Sequence, residues 1–386
     1  MDRTRGSSRR PCPGLWGAVA VALLTACDSN ATQLGELPNA SASHDYRVVE
    51  IVDGLDHPWG LAFLPNGDIL VTERSGSLRL VTNGTLRPDP VEGAPSVAVE
   101  GQGGLLDIAL HPEFASNELV YLTYSKAVDG GLTTAVARAQ WDGERLVGLQ
   151  DVFIADAAAS GGRHFGSRVL FGPDGSMYVT VGDRGLQEPA QDRSNHIGTT
   201  LRLNPDGSVP VDNPFVDDPL VRDEIFTYGN RNAQGMAIRP GTDEIWQSEH
   251  GPRGGDELNR LVAGGNYGWP EYRFGTHYDG TPIPDPEPES GIVPPVAHWT
   301  PALAPSGLTF YTGELFPNWQ GDAFIAGLAG RQIRRVVLNG DNAVEEEGLL
   351  EEYGERIRAV ADGPDGALYF LTDSSNGVLA RLEPRD

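Results

Sequence analysis

Residues 169–183 read VLFGPDGSMYVTVGD: a short apolar segment, a Gly-Pro-Asp-Gly turn, and a β-branched and aromatic segment ending in Gly-Asp. Period-2 segments on either side of a turn are the signature of a β-hairpin. Working outward, the same phrase stands upstream as LAFLPNGDILVTER (61–74) and IALHPEFASNELVYLTYS (108–125). Downstream it returns as MAIRPGTDEIWQSEH (236–250), LTFYTGELFPNWQGDAFIAG (308–327) and VADGPDGALYFLTD (360–373). Six copies spaced 47 to 72 residues apart predict six units of about four strands each. Radial stacking buries such units and leaves only short edges, so the expected fold is all-β. It is a six-bladed β-propeller of four-stranded antiparallel blades over residues 45–386. No long amphipathic helical pattern interrupts the series, which argues against an α/β fold. The two widest spacings, before MAIRP and before LTFYT, predict long loops, and loops are where a site belongs.

The composition agrees. The 386 residues include 49 Gly and 29 Pro, spread over turns with no low-complexity tract. Arg3, Arg5, Arg9 and Arg10 precede an apolar run, Leu15 to Leu24, too short to span a bilayer as a permanent helix. The run ends in Leu24-Thr25-Ala26-Cys27, which resembles a bacterial lipobox. The expectation is a lipoprotein signal peptide over 1–26, lipidation at Cys27, and a polar tether over 27–44. That implies a periplasmic or cell-envelope protein touching membrane only through its lipid. Cys12 and Cys27 are the only cysteines, so the domain from residue 45 has no disulfide and no thiolate metal site. The first 26 residues carry four Arg and one Asp, so removing them takes the net charge from −25 to −28. Nucleic acid is excluded as a partner at that charge.

The chemistry concentrates in YGNRNAQGMAIRPGTDEIWQSEHGPRGGDELNRLVAGGNYGWP (228–270). Turn chemistry explains its Gly, Pro, Asn and Asp residues singly. It does not explain a cation, a carbonyl-rich turn and hard oxygen ligands packed together. Read with GLLDIALHP, HFGSRV, APSGLTFY and RIRAV, the block resembles the quinoprotein glucose/sorbosone dehydrogenase family. These are soluble aldose dehydrogenases that use pyrroloquinoline quinone (PQQ) and calcium, and the resemblance spans residues 46–384.

His164, in the Gly-rich GGRHFGS loop before the third hairpin, is the candidate general base, expected exposed at a loop end. A histidine near its ordinary pKa of about 6.5 suits proton abstraction near neutrality. His57, His111 and His298 lie beside Pro or Trp and read as structural. Asp183 is expected to hold the His164 tautomer. The resemblance implies that the Gly251 and Pro252 carbonyls bind a catalytic Ca²⁺, and that Glu257 with the Tyr267 carbonyl binds a second, structural one. It implies further that Arg231, Asn232, Arg356 and Arg358 contact PQQ, whose three carboxylates suit guanidinium forks. Gln102 and Tyr278 match positions near the cofactor. Arg331 is the candidate replacement for a family lysine, whose own place holds Ala329. Arg163 stands where glucose-oxidising members carry an acid, which points toward the broader aldose dehydrogenases.

The activity implied is oxidation of aldose sugars at C1 to lactones. With no CxxCH haem motif in the chain, electrons leave to an external acceptor such as a quinone, a cytochrome or a dye. Monomer and dimer both remain open. Two other readings also stand: a calcium-dependent lactonase or esterase on the same fold, which would not need an Arg pair, and an envelope binding propeller that has lost its cofactor.

Overall fold

The computed structural model describes residues 45–385. The predicted signal peptide, Cys27 and tether lie outside the described residues. In chain order, β1 (Tyr46–Leu55) precedes the first blade, formed by β2 (Pro58–Phe63), β3 (Ile69–Glu73), β4 (Leu78–Thr82) and β5 (Thr85–Leu86). The second blade is β6 (Leu105–Leu110), β7 (Leu119–Val128), β8 (Gly131–Trp141) and β9 (Leu146–Ile154). The third is β10 (Val169–Phe171), β11 (Met177–Val181), β12 (Thr199–Leu203) and β13 (Ile225–Tyr228). Blade four is β14 (Ala233–Ile238), β15 (Ile245–Glu249), β16 (Asp256–Arg260) and β17 (Ala297–Trp299). The fifth contains β18 (Pro305–Phe310), β19 (Ala323–Gly327), β20 (Gln332–Asn339) and β21 (Asn342–Leu349). The last joins β22 (Ile357–Asp362), β23 (Leu368–Thr372) and β24 (Gly377–Pro384) to β1 as its fourth strand.

All pairings are antiparallel, and each hairpin phrase forms the first two strands of one blade. The Pro-Asp-Gly turns close as expected. Asp174 Oδ1 accepts from the Ser176 N–H at 3.0 Å, and Asp365 Oδ1 from the Ala367 N–H at 3.2 Å. Such Asx turns let the following Gly take its left-handed conformation. A four-residue helix, Phe114–Asn117, falls inside the second hairpin turn.

The core lies between blades. Leu70, Leu80, Leu105 and Leu122 join blades one and two, while Trp246, Leu258, Phe310 and Ile325 join blades four and five. Around the centre each first strand packs on the next, β2 on β6, β14 on β18, β18 on β22, and β22 back on β2. Glycine makes this approach possible. A Cβ on Gly60 would meet Asp107 Oδ1 at 2.6 Å, and one on Gly235 would meet the Ser306 carbonyl at 2.3 Å. Buried polar ties fasten the inner ring. Arg168 Nη1 donates to Asp107 Oδ1 at 2.7 Å, and Arg358 Nη1 to Gln234 Oε1 at 2.8 Å.

Five connections meet at one end of the ring: β5–β6, β9–β10, β11–β12, β13–β14 and β15–β16. They carry Gln102, His164, Asp183, Arg231 and Gly251.

Candidate active site

His164 is built into place by its neighbours. Its φ is +52° and that of Ser167 is +73°, so the loop makes turns that L-residues rarely adopt. The β11–β12 turn interlocks with it: a Cβ at Gly182 would fall 2.0 Å from the His164 carbonyl, so only glycine fits. Gln102 Oε1 accepts from the His164 N–H at 2.9 Å. Arg184, almost fully buried, holds the same loop by donating to the carbonyls of Gly161 (2.9 Å) and Arg163, with its guanidinium 3.5 Å over the Phe165 ring. Burial pushes the Arg184 pKa down to about 10, still a cation near neutral pH.

The imidazole is oriented from one side. His164 Nδ1 lies 2.6 Å from Asp183 Oδ1, which also accepts from the Gly185 N–H at 2.7 Å. Asp183 Oδ2 accepts from Trp269 Nε1 at 2.7 Å. This carboxylate already receives two N–H donors, so it holds the His164 proton on Nδ1 and leaves the Nε2 lone pair free. The expectation of an exposed base needs correction. The His164 side chain is only 12% exposed, because the interlocked turns cover all but one edge. Burial lowers its pKa below 6.5, opposed by the Asp183 hydrogen bond, while the Arg231 charge lowers it further. For Asp183, burial alone would raise the pKa, but the His164 bond and the Arg231 charge bring it below 3.8.

Beside this pair a cavity of about 480 Å³ opens, lined among others by His164, Asp183, Arg231, Pro252, Trp269 and Tyr278. That volume is in the range of small-molecule sites. Arg231 is buried in its wall. Its Nη1 donates to the Gly251 carbonyl at 2.8 Å and its Nη2 to Tyr278 Oη at 3.4 Å. Among the described residues it makes no ion pair with a carboxylate, and its Nε has no hydrogen-bond partner. The guanidinium lies 5.3 Å from the Trp269 ring and 5.9 Å from that of Tyr278.

Trp269 and Tyr278 reach the cavity by an unexpected route. They lie in the 261–296 connection from β16 to β17, which starts at the opposite end of the blade. The connection runs back along β13, with the Tyr267 N–H donating to the Tyr228 carbonyl at 2.9 Å and the Trp269 N–H to Gly229 at 2.8 Å. One of the two predicted long loops therefore does serve the site. In the other spacing, before MAIRP, the β11–β12 connection supplies Gly185 and Gln187 and the β13–β14 turn supplies Arg231, while 204–224 between β12 and β13 lines none of the cavity.

Several predicted residues lie near the cavity without lining it. Asn232 Oδ1 accepts from the Gly166 N–H at 3.0 Å and so braces the His164 loop, with its Nδ2 buried and unpartnered. Arg356 and Arg358 do share one side, as the Arg-Ile-Arg spacing requires, but both close on Asp373 Oδ2 at 3.1 Å. Sequence reasoning missed this internal carboxylate, because alternation alone cannot show which strand faces the pair. Arg331 is exposed and donates to the Gly354 carbonyl at 3.0 Å, away from the cavity. His57, His111 and His298 make structural contacts away from the cavity: with Asp56, with the Glu113 N–H and the Phe171 ring, and with the Phe274 ring at 4.0 Å.

These surroundings fit a planar anion. A buried guanidinium with an unpartnered Nε, between two aromatic rings and close to a base, is suited to a carboxylated ring system such as PQQ. For calcium the two implied places differ. Among the described residues no group of three or more His, Cys, Asp or Glu side chains is arranged for a metal. A cation at the Gly251-Pro252 turn would thus rest on carbonyls, of which the Gly251 one already accepts from Arg231 with one of its two lone pairs, and on oxygens of a bound ligand. At the second place, Glu257 is already engaged by the buried guanidinium of Arg273 at 3.2 Å, and the residues do not fit a metal there. The Tyr267 hydroxyl, for its part, donates to the Arg260 carbonyl at 2.7 Å.

A propeller with a His–Asp pair facing a cationic, aromatic-walled cavity defines a class of ring-shaped proteins with a site at one end of the central axis. Residues 55–381 match the Glucose / Sorbosone dehydrogenase family, and the chain belongs to it. Aldose sugar dehydrogenase YliI of Escherichia coli K12 is 42% identical over 88% of this chain and 93% of its own. A crystal structure of the Escherichia coli aldose sugar dehydrogenase in its apo form superposes with a TM-score of 0.85 at 41% identity, covering 88% of this chain and 100% of that one. The PQQ-bound aldose sugar dehydrogenase of Streptomyces coelicolor superposes with a TM-score of 0.73 at 32% identity, covering 88% and 98%.

Proposed function

We propose that the chain is a PQQ- and calcium-dependent dehydrogenase that oxidises aldose sugars at C1 to lactones and passes the electrons to an external acceptor. The observation that carries this reading is the Trp269–Asp183–His164 hydrogen-bond chain ending at a cavity that also exposes the buried Arg231. PQQ, when bound, supplies the two-electron acceptor for the C1 hydrogen, polarised by calcium held on the Gly251 and Pro252 carbonyls. His164 accepts the C1 hydroxyl proton at Nε2. Asp183 keeps the other proton on Nδ1 and stabilises the imidazolium that forms. Arg231 holds a cofactor carboxylate and, with Trp269 and Tyr278, fixes the ring. Arg356 and Arg358 share one carboxylate, so the pair keeps a net positive charge for a second cofactor carboxylate. Titrating PQQ into the purified apoprotein, with and without calcium, against a panel of aldoses and a redox dye tests the reading. Dye reduction is expected only with both added. Failure to bind PQQ, with no hydrolysis either, would favour the binding propeller, and cofactor-free ester or lactone hydrolysis the lactonase.

Arg231→Met keeps the aliphatic stem but removes the charge. Charge-assisted hydrogen bonds contribute about 1.5–3 kcal/mol, so the Kd for PQQ should rise roughly 10- to 100-fold. Fluorescence titration of the apoprotein measures it, and an unchanged curve removes Arg231 from the cofactor site.

We propose that the chain is anchored through a lipid on Cys27 on the periplasmic or cell-envelope side. Wild type should fractionate with membranes, while Cys27→Ser should be unprocessed or released. Intact mass settles the matter: a mature wild-type chain starting elsewhere, with no acyl group, overturns the anchor.

A further inference from the structure

Glu249 ends β15 and Glu257 lies in β16, and the two pair directly across the ladder. Both are buried. Like charges opposed on neighbouring strands repel, and a buried carboxylate needs a partner. Arg273 supplies it for both. Its side chain has no exposure, its Nη1 donates to Glu249 Oε1 at 2.8 Å, and its Nη2 stands 3.2 Å from Glu257 Oε2. Its Nε donates to the Gly255 carbonyl at 3.0 Å, so three arms of the guanidinium reach three oxygens of one blade. Its own N–H donates to the Pro284 carbonyl at 2.8 Å, which ties the strands of the 261–296 loop together behind it. The third acid here, Asp256, is occupied otherwise, accepting from the Gly251 and Ala304 N–H groups at 2.7 Å each.

Calcium at Glu257 would need six to eight oxygens at roughly 2.3–2.6 Å. The guanidinium already stands against both carboxylates, hydrogen-bonded to Glu249 and in charge contact with Glu257, with a charge of the same sign as the ion. Two cations cannot share that pair in so small a buried space.

We infer that Arg273 is a built-in cation that takes the place of a bound divalent ion at the Glu249–Glu257 pair. The chain then needs no metal at Glu257, and any calcium requirement is confined to the Gly251-Pro252 turn. The loop that brings Trp269 and Tyr278 to the cavity is fastened by one of its own side chains, through ion pairs and hydrogen bonds, and chelators do not release it there.

Thermal unfolding of the full-length apoprotein in EGTA and in calcium tests this without any activity measurement. Wild type and Glu257→Gln should respond to calcium equally. Arg273→Met should melt lower in EGTA and gain an extra rise of about 5 °C at a hundredfold excess of calcium over its Kd. The double variant Arg273→Met/Glu257→Gln should lose that extra rise. A wild-type response abolished by Glu257→Gln would show calcium bound beside Arg273 and overturn the inference, as would an Arg273→Met variant with no added response. Should Arg273→Met fail to fold in EGTA, refolding it in calcium reads the same quantity: recovery supports the inference and no recovery overturns it.

Discussion

His164→Gln is expected to bind PQQ almost as wild type does and yet reduce it with aldose roughly 10²- to 10⁴-fold more slowly in a single turnover, the usual contribution of a positioned general base. Glutamine keeps a hydrogen-bonding end near Asp183 but cannot take up a proton. The side chain is largely enclosed by its loop, so a purely packing role predicts the opposite pattern: lower melting temperature and poorer loading, with normal reduction per bound PQQ. Stopped-flow absorbance separates the two, and unimpaired reduction in the Gln variant would remove His164 from the chemistry. The pH dependence has a definite sign. Only neutral imidazole accepts the proton, and burial holds the His164 pKa below 6.5. The rate should therefore rise with pH through a midpoint below 6.5 and be level across neutrality.

Asp183→Asn should be nearly as damaging, by about 10²- to 10⁴-fold, since fixing the wrong tautomer removes the acceptor lone pair. The geometry leaves the amide no satisfactory orientation. With its NH2 at the Oδ2 position it faces the Trp269 Nε1–H, a donor against a donor. With its NH2 at the Oδ1 position it opposes the Gly185 N–H and drives the His164 proton to Nε2. Losing the carboxylate also removes a group that raises the His164 pKa, so the midpoint of the pH profile should fall along with the plateau. A variant with the wild-type plateau and midpoint would make Asp183 merely structural.

The repeated hairpin phrase made the propeller legible, because a period-2 pattern broken by Pro-Asp-Gly turns has few other ways to bury itself. His164 was legible through the resemblance and Asp183 as the acid expected to hold its tautomer, and the structure brings them within hydrogen-bond distance. What escaped were partners supplied from far along the chain. Trp269 meets Asp183 across 86 residues, and Arg273 meets Glu249 across 24 by way of an irregular loop. Asp373, just past the end of β23, ties the Arg356 and Arg358 pair together through one shared oxygen. Arg184 carries no motif at all. Its role comes from a ring and two carbonyls that meet only when two loops interlock. Local pattern reports which face a residue occupies, but not what the fold sets opposite it.

The pairing of β1 with β24 imposes an order on synthesis. Arg47 meets Glu383 at 2.9 Å across 336 residues, and Tyr46 pairs with Pro384. As the chain leaves the ribosome, the first strand made must wait for the last one before its backbone groups find their partners. Until then the growing arc has two open sheet edges, the kind of surface that recruits other chains. Every blade can form locally, from strands adjacent in sequence, except the one that locks the circle. Completion is thus a single late event near the C-terminus, and a ribosome that stops short of β24 releases an arc that cannot close.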